Sequence, residues 1–160
     1  MSGTGAPRAP HKVDGHGVNV VVVAGTWHET ITEGLVAGAQ RTLDAAGAAH
    51  TLVRVPGSFE LGLAAQAAFA GGADAVVALG VIIRGGTPHF EYVSQATTDG
   101  LNRVALDAGK PVGFGVLTLD DEQQGLDRAG LEGSQEDKGA EAAEAALRMV
   151  TVLTQLRAGR

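Results

Sequence analysis

Four apolar runs alternate with segments of helical spacing, and this alternation restricts the chain more than any other feature. The runs cover residues 18–24, 51–55, 75–83 and 111–117. They are largely continuous stretches of Val, Ala, Leu and Ile rather than apolar–polar alternations, as expected of strands covered on both faces of a parallel sheet. Helical spacing fills 29–46, where Ile31, Leu35, Ala39 and Leu43 share one side, and then 58–70, 88–108, 120–128 and 137–156. Gly47, Gly71-Gly72 and Gly109 follow the first three helices, where glycine commonly ends a helix. Right-handed crossovers between such strands predict an α/β, flavodoxin-like three-layer sandwich, a four-stranded parallel sheet with helices on both faces. The chain of 160 residues has room for one such domain, at 18–160. Residues 1–17, rich in Gly, Pro and His, are expected to form a flexible amino-terminal arm. Sheets of this kind bind ligands beyond the carboxyl ends of their strands.

Composition removes several classes of function. Cysteine is absent, so disulfides, thiolate metal sites and cysteine nucleophiles are excluded. A net charge of -6 opposes nucleic acid as a partner. No apolar stretch approaches the length needed to span a membrane, and a cytoplasmic location is expected. The histidines, His11, His16, His28, His50 and His89, show no ligand spacing, so no metal is expected. The glycine fingerprint of dinucleotide sites, the lysine of a P-loop and the Gly-x-Ser-x-Gly elbow are all missing.

The third run leads into the most informative stretch, Gly80-Val81-Ile82-Ile83-Arg84-Gly85-Gly86-Thr87-Pro88-His89-Phe90. A strand enters an Arg-Gly-Gly-Thr turn, and a proline stands where a helix starts. Proline suits the first helical turn because its missing N–H would have no helical partner there. The turn therefore presents free backbone N–H groups at the positive end of a helix dipole, a site for an anion such as phosphate. His89 stands in the same turn, and a neutral imidazole beside a phosphate pocket can move protons.

Other candidates carry structural alternatives. Five of the six aromatics, Trp27, Phe59, Phe69, Phe90, Tyr92 and Phe114, fall near a strand's carboxyl end or in the segment after it. Rings gathered there point to a flat ligand, or else they plug the end of the sheet. Trp27 is a stacking platform or a subunit contact. Glu60, in the first turn after Pro56-Gly57-Ser58-Phe59, accepts hydrogen bonds from a polyol or merely complements the helix dipole. Arg128 offers a guanidinium fork to phosphate, or closes a short helix. Lys138 opens the last helix, where the dipole disfavours a cation, and so stands out from an average surface lysine.

Taken together these pieces resemble lumazine synthase, the 6,7-dimethyl-8-ribityllumazine synthase family. The matching motifs are Trp27-His28, Gly57-Ser58-Phe59-Glu60, the run from Ala78 through Arg84-Gly85-Gly86-Thr87-Pro88-His89-Phe90 to Val93, Phe114-Gly115-Val116-Leu117-Thr118, Leu126-Asp127-Arg128-Ala129-Gly130 and Lys138-Gly139. The resemblance covers residues 18–156. It implies condensation of 5-amino-6-(D-ribitylamino)uracil with 3,4-dihydroxy-2-butanone 4-phosphate, without metal or organic cofactor. It further implies that Trp27 stacks on the pyrimidine and that Ser58, Phe59 and Glu60 hold the ribityl chain. Val81, Ile82 and Ile83 then line the uracil edge with backbone groups. Gly85, Gly86 and Thr87 cradle phosphate, with Arg128 opposite. His89 shuttles protons, Phe114 covers the ring from a neighbouring subunit, and Lys138 lies near the phosphate. Gly86 stands where the family often has a larger residue. Residues 131–136 lack the Lys-x-Gly-Asn turn of shell-forming members, so a homopentamer is expected rather than an icosahedral shell. Riboflavin synthase is a further candidate partner, and the arm is expected to add to a neighbour's sheet. The alternative is a non-catalytic carrier of ribityl-lumazine or riboflavin on the same fold.

Overall fold

The computed structural model describes residues 12–159 together with Gly5, so most of the expected arm lies outside the described residues. Of its described part, Val13 packs against the core, and the Gly15 N–H donates to the Ala46 carbonyl at 2.8 Å. The elements are β1 (Asn19–Ala24), α1 (Glu29–Ala46), β2 (Ala49–Arg54), a 3-10 turn (Ser58–Glu60), α2 (Leu61–Ala70), β3 (Ala75–Ile83), α3 (His89–Ala108), β4 (Val112–Leu119), α4 (Glu122–Leu126) and α5 (Lys138–Ala158). The strands pair in parallel in the order β2-β1-β3-β4. The flavodoxin-like α/β sandwich expected from the sequence is therefore the observed fold.

Two apolar clusters fill the layers. Val20 and Val22 of β1 and Val77 and Leu79 of β3 face Leu35 and Leu43 of α1 and Leu147 of α5. Val23, Val76 and Ala78 face Leu61 and Ala65 of α2 and Leu101 of α3. Burying a leucine completely contributes about 1.5–3 kcal/mol, so α1 is held mainly by Ile31, Leu35 and Leu43, each at most 1% exposed. Gly47 ends α1 at φ 76, a left-handed conformation that favours glycine, and its N–H closes onto Leu43 and Asp44.

Several boundaries differ from the sequence expectation. β4 runs on to Leu119 because Leu117 and Leu119 stay buried and Thr118 and Leu119 continue the register with Ile82 and Ile83. The helix expected at 58–70 begins as a 3-10 turn. That expected at 120–128 is confined to Glu122–Leu126, with Asp121 accepting the Gln124 N–H. Pro88 is the N-cap of α3 rather than its first residue. Nor is every strand covered on both faces: β2 lies at a sheet edge with Leu52 and Val53 exposed.

The chain passes from β1 to β2 on one side and returns past β1 to β3 on the other. The loops leaving β1 and β3 consequently diverge, and at such a switch point the sheet opens a crevice at its carboxyl edge.

Candidate active site

A cavity of about 390 Å³ occupies that crevice. Its walls come from the segments after β1 (Trp27, His28), after β2 (Pro56 to Glu60), and from the end of β3 into α3 (Val81, Ile82, Ile83, Gly85, Thr87, His89, Phe90, Val93). Ten residues singled out from the sequence thus meet here: Trp27, Ser58, Phe59, Glu60, Val81, Ile82, Ile83, Gly85, Thr87 and His89. Gly86 adjoins them without lining the cavity.

The amino ends facing this crevice share one property. α1, the 3-10 turn leading into α2, and α3 all lack a side-chain cap. α4 and α5, which do not line the cavity, are capped by the carboxylates of Asp121 and Asp137. A cap typically contributes about 1 kcal/mol, so three uncapped starts around one hollow leave backbone N–H groups for a ligand. Around Thr87 the hydrogen bonding is loose: the His89 N–H reaches Thr87 Oγ1 at 3.5 Å. Neither Gly85 nor Gly86 has a positive φ, and a Cβ at either would meet nothing within 4 Å. The fold itself does not demand glycine at either position, and the open space leaves the backbone of the turn accessible.

At the other end of the cavity, Trp27 is 68% exposed and Phe59 66% exposed, two large rings left uncovered by their own chain. A Cβ on Gly57 would lie 3.4 Å from Trp27 Cδ1 and 3.5 Å from Glu60 Oε2, so ring and carboxylate flank the same glycine. Ser58 is buried, and its hydroxyl occupies a notch in β3: a Cβ on Gly80 would stand 2.4 Å from Ser58 Oγ.

Three expected residues stand apart from this cavity. Phe114 pairs with Ala78 in the first half of β4 rather than at the carboxyl edge, and is 47% exposed. Arg128 turns back on its own helix, donating from Nη1 to the Gln124 carbonyl at 2.8 Å, the helix-closing arrangement. Lys138 pairs with Glu136 and with Glu141, the latter at 2.8 Å. Burial works against its charge, and the hydrogen bonds to the two glutamates outweigh that, holding its pKa above the ordinary lysine value. Those partners offset the cost of a cation in a first helical turn.

Other features escaped the sequence reading. His28 is the non-glycine residue with positive φ (55) among the described residues, and it lines the cavity beside Trp27. Its position directly after Trp27 was a signal, but its strained backbone was not visible. Arg84 binds Glu91 of α3, donates from Nε to Asp120 at 3.0 Å, and stacks 4.2 Å over the Phe90 ring. The hydrogen bond from Arg84 holds the Glu91 carboxyl below the usual carboxylate range. Among the described residues no group of three or more His, Asp or Glu side chains is arranged to hold a metal, and no helix is long and apolar enough to cross a membrane.

Residues 17–154 match the family described as 6,7-dimethyl-8-ribityllumazine synthase. A protein of that name from Leifsonia xyli subsp. xyli is 71% identical over 157 residues, covering 98% of this chain and 99% of its own. Proteins of the same name from Clavibacter michiganensis subsp. michiganensis and a Nocardioides species are 66% and 61% identical, each over 98% of this chain. Similarity of this depth along nearly the whole chain, on a fold whose crevice gathers the expected residues, means that the chain belongs to the 6,7-dimethyl-8-ribityllumazine synthase family.

Proposed function

We propose that this chain condenses 5-amino-6-(D-ribitylamino)uracil with 3,4-dihydroxy-2-butanone 4-phosphate at the switch-point cavity. The products are 6,7-dimethyl-8-(D-ribityl)lumazine, phosphate and water, the penultimate step of riboflavin biosynthesis. The observation that carries the assignment to this cavity is its ring of uncapped helix starts, set between exposed aromatic rings and the Gly85-Gly86-Thr87 turn. Family membership favours this catalytic reading over a carrier of ribityl-lumazine.

In this reading Trp27 stacks on the pyrimidine, while Ser58, Phe59 and Glu60 hold the ribityl chain. Val81, Ile82 and Ile83 offer backbone groups to the uracil edge. The turn at 85–87 binds phosphate at the α3 dipole. The primary amine of one substrate adds to the ketone of the other, and water leaves to form an imine. Phosphate then departs with the electron pair of its C–O bond as the neighbouring carbon loses its proton, leaving an enol that becomes a ketone. The ribityl-bearing nitrogen adds to that carbonyl and a second water leaves, which closes the ring without an external oxidant. His89, in the first turn of α3 and on the cavity wall, moves the protons these steps require.

Arg128, Phe114 and Lys138 enter the reading from a neighbouring copy. Support comes from the exposure of Phe114 on an edge strand, of Trp27 at the cavity, and of the outer edge of β2, which pairs with no strand among the described residues. An open, apolar edge strand invites pairing with another chain. A closed ring of copies would satisfy all three, and five is the number the family resemblance implies. In it each site gains its missing aromatic and cationic groups from next door.

Mixing the purified protein with both substrates should accelerate the appearance of lumazine absorbance. A rate no higher than the uncatalysed condensation would remove the proposal. A sharper test concerns Gly80. Gly80→Ala puts a methyl where Ser58 Oγ sits and within 3.0 Å of Leu61. We expect a loss of about 1–3 kcal/mol in thermal unfolding and a raised KM for the ribityl substrate. Wild-type stability and KM would show that Ser58 does not depend on the notch.

A further inference from the structure

Arg84 would ordinarily be read as a phosphate ligand, because it is a cation directly before the Gly85-Gly86 turn. Its surroundings assign it different work. Its backbone N–H donates to the Leu119 carbonyl at 2.8 Å, fixing the end of β3 to the end of β4. Its guanidinium spans Glu91, in the first turn of α3, and Asp120, just after β4. The same group lies over Phe90, a cavity wall. One side chain thus ties together the two strand ends and the helix start that frame the turn. The fork of a guanidinium suits this double engagement, and a lysine ammonium cannot reproduce it.

The turn itself has little to hold it. Gly85 and Gly86 are exposed, with open space where their side chains would be. Its shape is therefore set at its two ends, by Pro88 on one side and Arg84 on the other. Charge leads to the same conclusion. Arg84 faces two carboxylates, so its positive charge is already matched and exceeded within the cluster.

We propose that Arg84 is a positioning residue for the phosphate turn, acting through Glu91, Asp120 and Phe90 and not by contacting the phosphate. This rests on the reading of residues 85–87 as the phosphate site.

The decisive variant is Glu91→Gln, a mild change at an exposed side chain. If Arg84 were a direct ligand, removing Glu91 would free its charge and tighten phosphate binding. If it positions the turn, the same change loosens the clamp and weakens binding. We expect Glu91→Gln and Arg84→Met each to raise both the KM for the phosphorylated substrate and the inhibition constant of inorganic phosphate. The rise should be on the order of tenfold, because small misplacements of a binding group are costly. The KM for ribitylaminouracil should stay within about twofold, since uniform binding at that end is untouched. Arg84→Lys should fall between wild type and Arg84→Met. Tighter phosphate binding in Glu91→Gln would overturn the proposal, as would equal rises in both KM values or no change in either. If inorganic phosphate failed to compete with the phosphorylated substrate in the wild-type protein, the site reading itself would fall, a result distinct from those three.

Discussion

Replacing His89 with alanine is expected to slow turnover by about 10²–10⁴-fold while leaving the fold intact. The side chain is exposed in the first turn of α3 and belongs to neither apolar cluster, so its loss opens no buried cavity. It lines the cavity in which, in the proposed reaction, the two substrates meet. Imine formation carries a proton from nitrogen to a departing oxygen, and phosphate loss requires a proton to leave carbon. A single imidazole within reach of both events can serve each in turn. Without it, the cavity still holds the substrates together, so some acceleration over the uncatalysed condensation should persist. Single-turnover rates and thermal unfolding measured on the same preparation separate these contributions. Wild-type rates in His89→Ala would strip the residue of its role, whereas a large drop in unfolding temperature would move that role from chemistry to structure.

The parts of this site readable from the sequence are those whose chemistry is local. Trp27, Glu60 and the turn at 85–87 each follow a strand directly, and the apolar run before each one placed it at the carboxyl edge. The fold was readable for the same reason: Val22, Val77 and Leu79 sit in uninterrupted runs, and Ile31, Leu35 and Leu43 recur at helical spacing. What escaped depends on approach in space. Nothing local tells that Gly80 is needed for Ser58, a residue of another element. Nothing local tells that Arg84 meets Asp120, which arrives from beyond β4. Phe114 owed its expected role to the family resemblance alone, and the register sets it opposite Ala78 in the first half of β4. The strand boundaries erred where pairing, not composition, decides the end, as at Leu119.

Arg128 offers the test with the widest reach, because its own chain does not bring it to the cavity. Its guanidinium closes α4 on the Gln124 carbonyl, and the wall of the switch-point cavity does not include it. If it stabilises the departing phosphate, it does so in a neighbour's site. Arg128→Ala should then lower kcat by about 10²–10³-fold, the usual loss when one donor to a developing oxyanion is removed. A purely helix-closing arginine would instead cost some stability and leave kcat unchanged. Mixing decides between the two. Arg128→Ala and His89→Ala should each be nearly inactive alone. Unfolded and refolded together, they should regain activity, because roughly a quarter of randomly formed interfaces in a closed ring pair an intact His89 with a neighbour's intact Arg128. A site drawing both residues from one chain could not recover in this way, since every chain would lack one of them. Persistent inactivity of the mixture, with mixed assemblies demonstrated by mass, would place Arg128 within its own subunit's chemistry.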